Sequence, residues 1–259
     1  MTVTDQLGRI LKFKSAPKRI ISLVPSQTEL ICDLGLEDAL VGVTKFCVHP
    51  HHTTTNVTHV GGTKQIKVEV IKALKPDIIL CNKEENTQEI VEACQEIAPV
   101  HISDIFTIDD TLELIKMYGE LFNVNDKALH IYKAIETRKA DFLTFIAHKP
   151  KRKVAYFIWK TPWMVAASNT FIHELLQLNN FENSFQYLSR YPEVNLDAAA
   201  LQDTDLILLS SEPYPFKEKH INLLKTTFKT AKIQLVDGEM FSWYGSRLLL
   251  AFNYFKTLH

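Results

Sequence analysis

Two stretches of the chain share one pattern of hydrophobic and polar positions. Each begins with a short amphipathic segment, passes through a polar turn that contains an aspartate, and ends in an apolar run followed by a polar loop. The stretches are VEVIKALKPDIILCNKEE and LDAAALQDTDLILLSSEP, and an offset of 128 residues places Glu69 on Asp197 and Asp77 on Asp205. The pattern predicts the same helix–turn–strand unit in both halves of the chain.

Other elements recur in the same order. KRIISLVP and KRKVAYFIW are each an apolar run after a basic pair, and the helical patterns TELICDLGL and NTFIHELLQLNNF follow them. The first helix is predicted to end at Gly35 and the second near Asn179 and Asn180. Apolar strands that alternate with helices of about ten to fifteen residues are typical of βαβ units and parallel sheets. We therefore predict an α/β fold of two similar lobes.

A long helix is predicted between the two halves. It begins after Asn125 and Asp126, residue types that favour helix starts, and ends near His148. Its roughly 23 residues rise about 34 Å, and it contains no Gly, Ser or Pro that would make a hinge. We interpret it as a strut between lobes, with an N-terminal lobe over residues 1–122, a connecting helix over 123–150 and a C-terminal lobe over 151–259.

Composition and charge exclude several classes of partner. The chain is 46% hydrophobic and 23% charged, as in soluble globular proteins, and its net charge of −1 gives no reason to expect nucleic acid. Its apolar runs are far shorter than the roughly 20 residues that span a bilayer. The N-terminal MTVTDQLGRILKF lacks the apolar core of a signal peptide, which indicates a cytoplasmic protein or a leader already removed. The four cysteines share no CxxC spacing, so no disulfide framework is implied.

Ligands of open parallel sheets gather at the carboxyl ends of the strands, which makes the residues after each apolar run informative. After RIISLV, Ser26 and Glu29 have the S-x-x-E spacing of a capping box, and the alternative is a catalytic serine. No G-x-S-x-G elbow and no glycine-rich phosphate loop is present. We therefore predict no enzymatic activity and no intrinsic cofactor.

Large aromatic residues with a polar edge concentrate in these strand-end segments. Such rings suit a large, partly flat and partly polar ligand, while the alternative is that some of them cover the lobe cores. The candidates are Trp159, Trp163, Tyr191, Trp243 and Tyr244.

Three segments resemble one family. DQLGRILKFKSAPKRIISLVPSQTEL, VGGTKQIKVEVIKALKPDIILCN and GEMFSWYGSRLLLA are similar to the substrate-binding proteins of ABC importers for cobalamin, haem and iron–siderophore complexes, and most similar to the cobalamin-binding members. The resemblance covers essentially the whole chain. It implies two Rossmann-like lobes with parallel sheets, joined by one long α-helix, and a ligand cleft between the lobes. It also implies a monomeric, exported protein that is periplasmic or held at the membrane surface.

The same resemblance implies roles for individual residues. Glu69 and Asp197 match the surface acids, one per lobe, that dock on the permease dimer. The alternative for each is a solvated acid favoured by a helix N-terminus. Positions that are aromatic in well-known members fall at His49, Lys64 and Asn82 here. The family therefore predicts a ligand site formed by these three residues and by Trp159, Trp163, Tyr191, Trp243 and Tyr244.

The segment KFCVHPHH leaves three interpretations open. His49 contacts an organic or chelate ligand, with axial ligation of cobalt or haem iron as one form. Alternatively, His49 and Glu239 belong to a zinc-type site, as in a neighbouring receptor family. In the third interpretation this is a solvated loop, in which His51 and His52 have no role.

The leading hypothesis is a receptor that captures a corrinoid, haem or iron-chelate ligand containing cobalt or iron and delivers it to a permease. The rival hypothesis is a cytoplasmic metal-handling protein or α/β enzyme on the same scaffold, which the unpaired cysteines and the absent leader favour.

Overall fold

The chain forms two compact units. A computed structural model describes residues 1–259, except for the side chains of residues 53 and 54. The first unit comprises residues 1–105, 109–136 and 244–247, and the second comprises 106–108, 137–243 and 248–259. Each contains one parallel sheet with helices, which confirms the predicted fold class of two parallel α/β lobes. The predicted limits of the lobes remain predictions.

The strands of the first unit are β1 (Thr2–Thr4), β2 (Ile10–Lys12), β3 (Ile20–Ser22), β4 (Leu40–Val43), β5 (Thr58–His59), β6 (Ile78–Asn82) and β7 (Val100–Ser103). β1 and β2 form an antiparallel hairpin, and the other five form a parallel sheet in the order β5-β4-β3-β6-β7. Every residue of β3 and β6 is buried. Apolar residues on both faces are expected of a central parallel strand that is covered on both sides.

The helices that begin before residue 150 are α1 (Pro25–Asp33), α2 (His51–Thr54), α3 (Val68–Ala73), α4 (Gln88–Gln95), α5 (Ile108–Leu121) and α6 (Asn125–Ile146). The predicted end of α1 is confirmed, because Leu34 is its C-cap and Gly35 follows at φ +70°. This left-handed conformation suits glycine, which has no Cβ.

The predicted capping box is wrong. Pro25 is the first residue of α1, so Ser26 lies inside the first turn. The N-cap residue is Val24, whose side chain makes no capping hydrogen bond. Proline at this position lacks one of the N–H groups that a cap would satisfy. Glu29 instead forms an ion pair with Arg247 at 2.8 Å, and both side chains are largely buried.

The strands of the second unit are β8 (Arg152–Trp159), β9 (Met164–Val165), β10 (Phe181–Asn183), β11 (Leu206–Ser210) and β12 (Lys232–Val236). Four of them form a parallel sheet in the order β10-β8-β11-β12, and β9 pairs antiparallel with β8. The helices are α7 (Phe171–Leu178), α8 (Ala199–Gln202), α9 (Glu218–Lys225), α10 (Glu239–Ser242) and α11 (Leu248–Lys256). α7 is capped by the Thr170 hydroxyl and ends at Asn179 and Asn180, as predicted.

The internal repeat is visible in equivalent hydrogen bonds. Asp77 accepts hydrogen bonds from the main-chain N–H groups of Lys18 and Arg19 at 2.8 and 3.0 Å, at the start of β3. Asp205 accepts one from Lys153 N at 2.7 Å, at the start of β8. The two aspartates paired by the sequence offset therefore bind the main chain at the beginning of equivalent strands, β3 in the first unit and β8 in the second.

Helix α6 is the predicted connecting helix. It has 22 residues, which corresponds to a rise of about 33 Å. The division between the two units falls inside it, between residues 136 and 137. Within the described part of the chain, no helix combines the length and the apolar character needed to cross a membrane.

Candidate functional site

A buried polar network lies at the carboxyl end of the first unit's sheet. Gln27 in α1 is fully buried, and its Nε2 donates to Ser103 Oγ at 2.7 Å and to Tyr244 OH at 2.9 Å. Its Oε1 accepts a hydrogen bond from Tyr118 OH at 2.6 Å. Burial raises the pKa of both tyrosines, so the phenols stay protonated and act as hydrogen-bond partners. The network holds Tyr244 within the first unit.

Asn82, a predicted ligand contact, is buried and holds the loop after β6. Its Oδ1 accepts from the main-chain N–H groups of Glu84 and Glu85 at 2.8 and 3.1 Å, and its Nδ2 donates to Ser103 O at 3.2 Å. This arrangement fixes the backbone next to Lys64, whose Nζ donates to Glu84 O at 2.7 Å. A direct contact of Asn82 with ligand remains a prediction.

A cavity of about 660 Å³ opens at the carboxyl ends of β4 and β5. The side chains that give it its chemistry are Lys45, Phe46, His59, Lys64 and Lys67. Of these residues, only Lys64 was predicted from the sequence. The others all lie between residues 45 and 67 but in separate elements, and the available signal was the lysines around the two glycines of VGGTK.

The two glycines shape this cavity. Gly61 has φ +119°, and a Cβ there would lie 2.5 Å from Gln65 O. The resulting turn closes with a hydrogen bond from Gly62 N to Gln65 O at 2.7 Å. A Cβ on Gly62 would approach Phe46 Cε2 at 3.0 Å. Glycine at both positions therefore allows the turn to form and the Phe46 ring to pack on it.

The histidine segment is not entirely a loop. His51 and His52 are exposed and begin the one-turn helix α2, which corrects the prediction of irregular structure there. His49 precedes this helix and is half-buried. Among the side chains that the structure describes, no group of three or more His, Cys, Asp or Glu residues is arranged to hold a metal ion.

Aromatic side chains line the carboxyl end of the second unit's sheet. Trp159 is the last residue of β8, is 37% exposed and packs edge-on against Tyr214 at 5.6 Å. Trp163 stacks on Phe216 at 6.0 Å and contacts the core of this unit. Tyr191 is half-buried, with the Arg190 guanidinium 5.8 Å from its ring centre. Trp159 and Tyr191 therefore keep ring surface available.

Trp243 belongs to a polar cluster in the second unit. It is buried, and its Nε1 donates to Glu212 Oε1 at 3.0 Å, which also accepts from Ser242 Oγ at 2.7 Å. Burial raises the pKa of the Glu212 carboxyl. Glu239 is the first residue of α10, and its N–H donates to Asp237 Oδ1 at 3.0 Å. Ligand contacts by Trp243 and Tyr244, and metal ligation by Glu239, remain predictions.

The two predicted docking acids are exposed but occupy different helix positions. Glu69 lies in the first turn of α3, whereas Asp197 precedes the Ala198 N-cap of α8. A negative charge is favourable near the start of a helix in either case.

A further cavity, of about 620 Å³, lies at the amino ends of β8, β10 and β11. Its side chains carry both signs of charge and include Arg152, Glu182 and Asp205. It contains none of the predicted site residues.

Comparison with known proteins identifies the family. The family model described as periplasmic binding protein matches residues 20–234, which is most of the chain. The chain belongs to the periplasmic binding protein family. The periplasmic binding proteins it resembles are substrate-binding components of ABC transporters, and they are not enzymes.

Two curated relatives and one solved structure illustrate the range of similarity. An uncharacterized ABC transporter substrate-binding lipoprotein, YvrC of Bacillus subtilis, is 25% identical over 217 residues, which are 80% of this chain and 68% of that protein. The vitamin B12-binding protein of Vibrio campbellii is 27% identical over 207 residues, covering 76% of this chain and 73% of that protein. The periplasmic heme-binding protein RhuT from Roseiflexus shares the fold, with a TM-score of 0.81 at 17% identity over 93% of this chain and 97% of that chain.

Proposed function

We propose that this periplasmic binding protein captures a metal-containing chelate, of the corrinoid, haem or iron–siderophore class, and delivers it to an ABC permease. Support for the ligand class comes from the sequence resemblance to cobalamin-, haem- and siderophore-binding members and from the similarity to a vitamin B12-binding protein. The location of the ligand between the two lobes stays part of the proposal.

The observation that carries the proposal is the exposed aromatic surface at the strand ends of the second unit. Trp159 is 37% exposed and Tyr191 is half-buried, and a macrocycle or an aromatic chelate is the kind of ligand that can pack against such aromatic side chains. Removing the remaining exposed surface of one such ring from water contributes about 1 to 2 kcal/mol at 25 cal/mol per Å². Trp163 is proposed to contribute its outer edge, because its other contacts are with the core of the unit.

The proposed first-unit contacts are His49 and Lys64, with Asn82 supporting the neighbouring loop. Neutral imidazole binds cobalt, iron and zinc, so His49 is the residue we propose for direct contact with the metal centre. Trp243 and Tyr244 are proposed to fix the position of their segment through their hydrogen bonds and to form the remaining part of the ligand-binding surface.

Delivery to the permease is proposed to use Glu69 and Asp197. Each is an exposed carboxylate, and the 128-residue offset of the sequence repeat pairs the two, although Glu69 lies in the first turn of its helix and Asp197 precedes its own. Such a matched pair orients a docking partner through charge complementarity, although each exposed ion pair adds only about 1 kcal/mol or less.

The test is a titration of the protein with cyanocobalamin, haemin and ferric siderophores, in which binding is measured by calorimetry and by tryptophan fluorescence. We expect one of these ligands to bind at micromolar concentration or below. The Trp159→Ala variant is expected to weaken binding about tenfold. Tyr132→Ala, which removes an aromatic ring from α6, serves as the matched control and is expected to bind normally. Absence of binding by every ligand would refute the proposed function.

A further inference from the structure

The cavity at the carboxyl ends of β4 and β5 has a strongly positive lining. Lys45, Lys64 and Lys67 contribute three ammonium groups, and His59 adds an exposed imidazole. No carboxylate side chain is among the residues that line this cavity in the described structure. The contact of Lys64 with Glu84 involves a main-chain carbonyl, so it does not neutralise the lysine charge.

The cavity combines this charge with an apolar ring. Phe46 is 49% exposed, and Lys45 Nζ lies 5.0 Å from the centre of its ring. The ring lies next to Gly62, and about half of the residue remains exposed. A flat apolar surface edged by ammonium groups fits a ligand whose body is aromatic or macrocyclic and whose periphery carries negative charge.

The volume of the cavity is suitable for part of such a ligand. Its 660 Å³ lies within the range of about 300 to 1,000 Å³ that is usual for small-molecule pockets. Its location at the strand ends, where ligands of open parallel sheets bind, places it on the face that the proposed function requires.

We propose that the ligand of this receptor is an anionic metal chelate and that the lysine cavity binds its negatively charged oxygen atoms. The cavity comprises Lys45, Phe46, His59, Lys64 and Lys67, and the oxygen atoms belong to carboxylate or catecholate groups at the edge of the chelate. This inference rests on the proposed function and narrows its ligand class. Three like charges around one cavity repel each other when it is empty, and an anion relieves that repulsion while gaining charge-assisted hydrogen bonds.

The experiment compares ferric chelates that differ in charge. A ferric tris-catecholate siderophore carries a net charge of about −3, because three dianionic catecholates surround Fe³⁺, whereas a ferric tris-hydroxamate is neutral, as is cyanocobalamin. Haemin, with two propionates, is a second anionic probe. We expect the tris-catecholate or haemin to bind at least about thirtyfold more tightly than the neutral probes, and its affinity to fall as salt is raised.

Two triple variants separate the cavity from general surface charge. Lys45→Gln/Lys64→Gln/Lys67→Gln removes the three cavity charges and keeps side chains of similar length. Lys12→Gln/Lys14→Gln/Lys18→Gln removes three exposed charges of the same unit outside the cavity.

The cavity variant is expected to weaken binding of the anionic chelate about thirtyfold or more, at up to about fivefold per exposed ion pair. The control variant is expected to change it less than about threefold. Far-UV circular dichroism checks that both variants fold.

The outcomes distinguish this inference from the proposed function. Preferential binding of an anionic probe, lost in the cavity variant and retained in the control, supports both. Tight binding of cyanocobalamin or the neutral hydroxamate, with full affinity in the cavity variant, overturns the inference and leaves the proposed function intact. Failure of every chelate to bind overturns both.

Discussion

Replacement of Gln27 by leucine tests whether the buried polar network stabilises the first unit. Gln27 is fully buried and contacts Ser103, Tyr118 and Tyr244 through side-chain hydrogen bonds. Its Nε2 also lies 3.1 Å from Cys81 O. Leucine has a similar volume and cannot form any of these bonds, so the cost arises from polar groups left without partners.

The size of the expected loss of stability follows from the hydrogen-bond partners that each buried polar group keeps in the variant. Tyr118 OH would lose its acceptor in a site where it is fully buried, whereas Tyr244 OH keeps a contact with Ser103 Oγ at 3.0 Å. An unsatisfied buried group costs about 1 to 3 kcal/mol, so we expect Gln27→Leu to lower the free energy of unfolding by about 3 kcal/mol. Tyr244→Phe removes one hydroxyl while Gln27 keeps its other partners, and we expect a loss of about 1 kcal/mol.

Urea denaturation measured with two probes provides the assay. All three tryptophans lie in the second unit, so far-UV circular dichroism is needed to report the first unit as well. The double variant should cost less than the sum of the single variants, because both substitutions remove the same Gln27–Tyr244 contact. A loss below about 1 kcal/mol for Gln27→Leu, or one no larger than for Tyr244→Phe, would show that the network does not stabilise the fold.

Three further predictions follow from other contacts. Burial lowers the pKa of His101 to about 4, so as pH falls from 6.5 to 4 the histidine is protonated in the unfolded protein before it is protonated in the folded protein. The free energy of unfolding should therefore drop by about 3 kcal/mol more over this window than it does in His101→Leu, as measured by urea titration at each pH. Gly61→Ala should cost about 2 to 3 kcal/mol because its Cβ would meet main-chain atoms, whereas Gly62→Ala should cost less than about 1 kcal/mol because it meets only a side chain; thermal melts that rank the two the other way contradict this. Glu69→Lys/Asp197→Lys should leave ligand affinity within about twofold and lower uptake at least about tenfold in cells that depend on this receptor, and unchanged uptake would exclude a docking role.

The alternation of strands and helices was predictable because it depends on local patterns. The apolar runs of β3, β6, β8 and β11 and the limits of α6 are all visible in the sequence, as are the ends of α1 at Gly35 and of α7 at Asn180. The repeat was predictable for the same reason, and Asp77 and Asp205 proved to make equivalent hydrogen bonds.

The candidate site was only partly predictable. Trp159 was identified from its place after a strand and Lys64 from the family resemblance, and the structure shows Trp159 partly exposed and Lys64 in a cavity. The roles of Lys45 and His59 depend on the pairing of β4 with β5, which no local pattern specifies, and Lys67 is placed by the hydrogen bond from its N–H to Val60 O at 2.8 Å.

The sequence by itself determined the elements, their order and the two-lobed α/β class, because hydrophobic periodicity, glycine and proline act over a few neighbouring residues. Only the tertiary structure decided which distant residues meet. Glu29 pairs with Arg247 rather than capping its own helix, and Tyr244 is held by Gln27, in each case because burial favours a charged or polar partner wherever the fold supplies one. The lysine cavity arises in the same way, from segments that adjacent parallel strands bring to one edge of a sheet.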